Sequence, residues 1–138
     1  MYCVSVMYPN ETGSTFKLQH YLDVHMPMGV GLLHKHFGIK PARIEVFHDT
    51  YGPDRTNASA AYHCFGNVYF EKKEDVDRFI ELFEMKEPTA LLKADWPKYT
   101  PKDPIAVVAK VTVLDPDDVV SRGPKVIETA EAELRAAE

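Results

Sequence analysis

With 138 residues, a net charge of −5 and a pI near 5.7, the chain is the size of one domain and carries no positive field to attract nucleic acid or an anionic membrane. Its 45% hydrophobic and 27% charged content is ordinary for a soluble globular protein, and no apolar run approaches the ~20 residues of a membrane helix. Cys3 and Cys64 are too few for a disulfide framework, and the N-terminus leads into a strand rather than a signal peptide, so cytoplasmic residence is expected.

Tyr2 to Tyr8 is rich in β-branched and aromatic residues and stops at Pro9-Asn10, a first strand. Thr12, Ser14 or Thr15 are available to cap the helix that follows. Phe16, Leu18, Tyr21, Leu22 and Val24 recur at roughly helical spacing, until Pro27 removes an amide donor and pushes Met26 away from helical angles. The helix is therefore expected to end or kink there. Val30, Leu32, Leu33 and Phe37 give a second apolar face up to Gly38, and Ala42 to His48 alternates as a second strand. Asp49 to Ser59 is dense in turn formers and reads as an exposed, mobile connection.

Tyr62 to Phe70 is a third strand, with Gly66 marking a bulge or a close approach to the backbone. Val76, Phe79, Ile80 and Phe83 place a helix over 73–85. A proline-punctuated stretch with Trp96 and Tyr99 leads to a fourth strand, Ile105 to Leu114, which Pro116 ends. An Ala/Glu-rich helix follows from about Pro124, so the domain is read as 1–116 and the extension as 117–138.

The order β-α-β-β-α-β is the ferredoxin-like α+β arrangement, a four-stranded antiparallel sheet with helices on one face. Strand four is apolar on both sides (Val107, Ala109, Val111 and Val113 against Val108 and Leu114), so the second sheet face needs a cover. The economical cover is a C2 homodimer in which two sheets close into one dimeric α/β barrel.

Among the titratable residues, His25 stands out. At a helix end it would feel the partial negative charge of uncapped carbonyls, which favours imidazolium and proton transfer near neutral pH. The plainer reading is that it caps the helix by bonding a carbonyl. Tyr21 lies one turn earlier on the same face. His48 sits at the rim of strand two as a second acid/base or plain surface. Cys64 shares the strand-three face of Gly66 and Val68, as a small buried hydrophobe or a reactive thiol. His20, His34 and His36 read as surface residues. No His-x₃-His, Cys-x₂-Cys, G-x-G-x-x-G, P-loop or serine elbow is present, so no metal and no organic cofactor is expected.

Four stretches carry a family resemblance: Val4-Ser5-Val6-Met7-Tyr8-Pro9, Tyr21-Leu22-Asp23-Val24-His25-Met26-Pro27, Phe65-Gly66-Asn67-Val68-Tyr69-Phe70 and Asp95-Trp96-Pro97-Lys98-Tyr99-Thr100. In this order the chain resembles the EthD family, associated with ethyl tert-butyl ether degradation, of the dimeric α/β-barrel superfamily. Lys17, where members often carry an acidic residue, and the long C-terminal extension depart from its pattern. The resemblance implies a pocket between sheet and helices with His25 facing in as general acid/base, Tyr21 orienting the substrate, and His48 or Cys64 as second proton carriers. Gly66, Val68, Trp96 and Tyr99 would border a small hydrophobic metabolite, apolar or aromatic, with a carbonyl or lactone. Decarboxylation, isomerisation, dehydration or cofactor-independent oxygenation would fit. The alternatives are a hydrophobic-metabolite binding protein, an accessory to a monooxygenase system, a haem protein using one histidine as axial ligand, or a purely structural interaction domain with no enclosed cavity.

Overall fold

The computed structural model describes residues 1–11 and 14–138, so the candidate cap Thr12 lies outside the described residues. Strands β1 (Tyr2–Pro9), β2 (Arg43–Phe47), β3 (Tyr62–Phe70) and β4 (Ile105–Lys110) form one antiparallel sheet in the order β2-β3-β1-β4. This is the ferredoxin-like topology expected from the order of elements. Register places Val4 opposite Val68 and Val108, Val6 opposite Gly66 and Ala106, and Tyr8 opposite Cys64. Because side chains alternate along a strand, these residues share the face that the helices cover. Val4, Val68 and Phe70 pack there against Leu32, Leu33, Val76, Phe79, Leu82 and Leu92.

The first helix departs from expectation. It does not stop before Pro27. A short α1 (Leu18–His20) widens into a π-helical turn over Tyr21–His25 and continues without a break as α2 (Met26–Phe37). Proline has no N–H and its ring clashes with the carbonyl four residues back. Here the wide turn absorbs that conflict, because the Met26 amide reaches back five residues to the Tyr21 carbonyl. Gly38, with φ 67°, then closes α2 in the left-handed conformation.

Helix α3 (Lys73–Leu82) is followed by α4 (Lys86–Asp95) and a 3₁₀ turn over Trp96–Lys98, where the sequence reading had only a proline-punctuated stretch. Pro88 lies in the first turn of α4, where a missing amide is no loss, so it does not break the helix. Strand β4 is shorter than expected. Its last rung is the bond from the Val111 amide to the Met1 carbonyl at 2.9 Å. Helix α5 (Pro116–Ala136) starts eight residues earlier than the sequence suggested. Asp115 caps it, its side chain accepting from the Asp117 amide, and Pro116 is tolerated at the first position.

The connection between β2 and β3 is exposed, as expected, but it is internally bonded. Asp54 accepts from the Thr56 amide at 2.9 Å, and from the hydroxyls of Thr56 and Ser59.

Candidate functional site

The wide turn turns two aromatic side chains toward the sheet. Tyr21 and His25 are buried, whereas Leu22 and Val24, expected on the apolar face, are exposed. The Tyr21 ring stacks on His25 with centroids 5.9 Å apart and meets Tyr8 edge-on at 5.2 Å. Gly66 is needed for this. A Cβ at residue 66 would collide with the Tyr21 hydroxyl and stand 3.2 Å from Met26 Cε. The close approach foreseen at Gly66 is therefore made by the chain's own phenol, and the strand carries no bulge at that point.

His25 is not at a helix end, and the carbonyl field expected there is absent. Its partner is Asp95, at the end of α4, with His25 Nδ1 3.0 Å from Asp95 Oδ2. The other carboxylate oxygen, Oδ1, is 2.9 Å from His20 Nε2 and 3.8 Å from Lys98 Nζ. Asp95 is only 2% exposed. Burial alone would raise its pKa, but the bonds from His20 and His25 outweigh it and hold the carboxyl below its usual range. An ionised carboxylate only accepts, so both imidazoles donate, His25 from Nδ1 and His20 from Nε2. His25 Nε2 then carries the lone pair.

Burial pushes the His25 pKa below its ordinary 6.5, with Asp95 pulling the other way and His20 adding to the depression. The residue is thus a neutral imidazole at pH 7, the reverse of the helix-end expectation. The reason is that removal from water outweighs the neighbouring charge. Tyr99 backs the pair. Its ring lies 4.7 Å from the His25 ring and 5.9 Å from that of His20, and its hydroxyl donates to Tyr8 at 3.0 Å. Burial raises the pKa values of Tyr8, Tyr21 and Tyr99 well above the ordinary phenol, so all three stay protonated.

His25 borders a small cleft of about 50 Å³ between the sheet and helices. Tyr21, Met26, Gly66, Val68, Phe83 and Trp96 are among its walls, and the lining is mainly apolar. Among the described residues His25 makes no other side-chain hydrogen bond, and no buried side-chain nitrogen or oxygen is left sealed without a partner. Nδ1 is engaged by Asp95, and the residue itself is part of the cleft lining.

The structure brings His25, Tyr21, Gly66, Val68 and Trp96 together, and it places Tyr99 behind the imidazole rather than on the cleft wall. Two candidates fall outside. His48 is exposed, in hydrogen-bond contact with Asp49, and borders a separate hollow of about 380 Å³ with Ser14 and His63. Cys64 is fully buried among Tyr8, Tyr21 and Tyr99 and is not one of the cleft walls, and burial pushes its thiol up to about 12. A thiol held neutral there is no nucleophile at physiological pH. His20, read as surface, belongs to the site. Asp95 was quoted only as part of a resembling stretch and had no assigned role. Its only signal was membership of that stretch, beside Trp96-Pro97.

Asp23 accepts from Gln19, and among the described residues no group of three or more His, Cys, Asp or Glu side chains is placed to hold a metal ion. Nor is any described helix long and apolar enough to cross a membrane.

A ferredoxin-like α+β sheet with a carboxylate-oriented histidine under its helices is the class these features define. No family sequence model and no curated protein sequence matches the chain. Among solved structures it is similar to an EthD-like protein of Ralstonia eutropha, at 24% identity and TM-score 0.64, over 84% of this chain and 96% of that one. It is also similar to an EthD family protein of Bacillus halodurans, at 15% identity and TM-score 0.52, over 81% of this chain and 99% of that one. The chain has the fold of these EthD-like proteins.

Proposed function

We propose that the chain is an EthD-type enzyme acting on a small apolar or aromatic metabolite that bears a carbonyl or lactone, with His25 as general acid/base and no organic cofactor. The observation that carries this reading is the Asp95–His25 couple at 3.0 Å on the border of an apolar cleft, which engages Nδ1 and leaves Nε2 as the nitrogen for proton transfer. Asp95 fixes the tautomer and balances the positive charge that forms when the ring takes a proton. The base removes a proton from the carbon next to the carbonyl. The imidazolium then returns it to a different carbon in an isomerisation, or to a leaving hydroxyl in a dehydration. A placed imidazole of this kind contributes ~10²–10⁴-fold.

At about 50 Å³ the cleft takes only a few atoms, against the ~300 Å³ or more of a usual metabolite pocket. Substrate entry therefore moves Phe83 and Trp96, the more exposed of its aromatic walls. The working unit is a homodimer. Phe47, Ile105 and Val107 are 50%, 47% and 45% exposed, and lie with Met7 and Phe65 on the sheet face that the helices leave bare. Closing two such faces gives the dimeric barrel.

The test is carbon-bound hydrogen exchange in D₂O, followed by NMR, on a panel of cyclic ketones, unsaturated lactones and aromatic β-keto acids. Wild type should exchange or convert at least one compound ~10²–10⁴-fold faster than a folded His25→Ala protein. Equal rates in the two proteins would remove His25 from catalysis.

A further inference from the structure

Helix α5 buries none of its residues. Each of its 21 residues is exposed apart from a half-buried Gly123. Helices in proteins draw most of their stability from packing an amphipathic face, and Gly123 and Pro124 weaken this one, by ~1 and ~3 kcal/mol relative to alanine. Yet one side is built for burial. Val119, Val120, Gly123, Val126, Ile127, Ala130 and Leu134 fall on a single stripe, and Val120, Ile127 and Leu134 are 73%, 58% and 68% exposed. A fitting groove exists elsewhere on the fold. Leu22, Pro27, Val30 and Ile44 line a hollow of about 490 Å³ between α2 and β2, with His34 and Lys40 also on it.

We infer that α5 docks its apolar stripe into this groove on a second copy of the chain, a reciprocal exchange of C-terminal helices. The inference rests on the homodimer proposed above. The occupant follows from topology. β2 and β4 are the two edges of the sheet, so a two-fold axis running along the strands between two facing sheets sets β4 of one protomer beside β2 of the other. The chain leaves β4 straight into the segment before α5, and the groove flanks β2 through Ile44. The helix therefore emerges next to the partner's groove. Its own groove lies across the sheet, beyond β1 and β3. Charge agrees. Glu131 and Glu133 border the stripe at helical spacing, and the groove offers Lys40 and His34. Length agrees too, since α5 and the run from Leu18 to Phe37 are each about 30 Å long at 1.5 Å per residue.

The experiment uses the full chain. A mixture of ¹⁴N- and ¹⁵N-labelled protein is refolded together and treated with a carbodiimide, and amide hydrogen exchange of residues 117–136 is read on the untreated dimer and on Ile127→Asp. Slow exchange in wild type, at least 10-fold faster exchange in Ile127→Asp, and links from Glu131 or Glu133 to Lys40 in mixed-isotope peptides are the expected results. A dimer whose α5 exchanges freely, or whose links join only peptides of one isotope, would overturn the helix exchange and leave the sheet-face dimer standing. A wild-type monomer by sedimentation would overturn both.

Discussion

Asp95 serves two imidazoles with one carboxylate, one on each oxygen, and this sharing sets the behaviour of His25. Replacing it tests the electrostatics directly. In Asp95→Asn the charge that favours imidazolium is gone while the burial remains, so His25 should titrate still lower than in wild type, read from imidazole NMR shifts. The fold should lose about 1–3 kcal/mol, because an amide cannot accept from both rings. Acid sensitivity follows with a definite sign. The folded protein holds the His25 proton more weakly than the unfolded chain does, so the unfolded form takes up more protons below pH 6.5 and stability falls as pH drops from there. Asp95 acts further down. Its contribution is complete above pH 3.8 and is lost as pH falls through its lower folded value. Urea midpoints between pH 7.5 and 5 should decline more steeply in wild type than in His25→Gln, and parallel declines would contradict the burial argument. At this scale the sequence showed His25 because a proline two residues on marks it. Asp95 was hidden, since nothing local announces a partner 70 residues away.

The π-helical turn and Gly66 form one device. The wide turn lowers Tyr21 onto β3, and the missing side chain at 66 receives its hydroxyl. Gly66→Ala should therefore destabilise by about 1–3 kcal/mol, an overpacking cost, although alanine is otherwise acceptable in a strand. Tyr21→Phe in the same protein removes the colliding atom and should restore most of the loss, which a double-mutant cycle of unfolding measurements checks. Strands were readable because alternation is local: β1 and β3 lie within a residue of where Tyr2 to Tyr8 and Tyr62 to Phe70 placed them. The first helix and α4 were misread for one reason. Pro27 and Pro88 look like breaks, yet one sits after a widened turn and the other in a first turn, where the missing amide does no harm.

For the whole molecule, the proposed homodimer rests on the bare sheet face. Val107 lies opposite Ser5 and is 45% exposed in the single chain, so an aspartate there should change unfolding stability by no more than about 0.5 kcal/mol. Buried in a dimer, the same charge should weaken association at least 100-fold, measured by sedimentation equilibrium. The apolar character of strand four on both sides pointed to this surface from the sequence, whereas the groove beside β2 is assembled from distant stretches and had no sequence signal. One carboxylate also reaches beyond its own chemistry. Asp95 ends α4 and leads directly into Trp96 on the cleft wall, while its oxygens grip the coil that bears His25. The latch and the bond that orients the proposed base are thus the same. In the proposed enzyme, loosening the wall to admit a larger guest would slacken the imidazole it is fastened to, so guest size and reactivity should trade against each other.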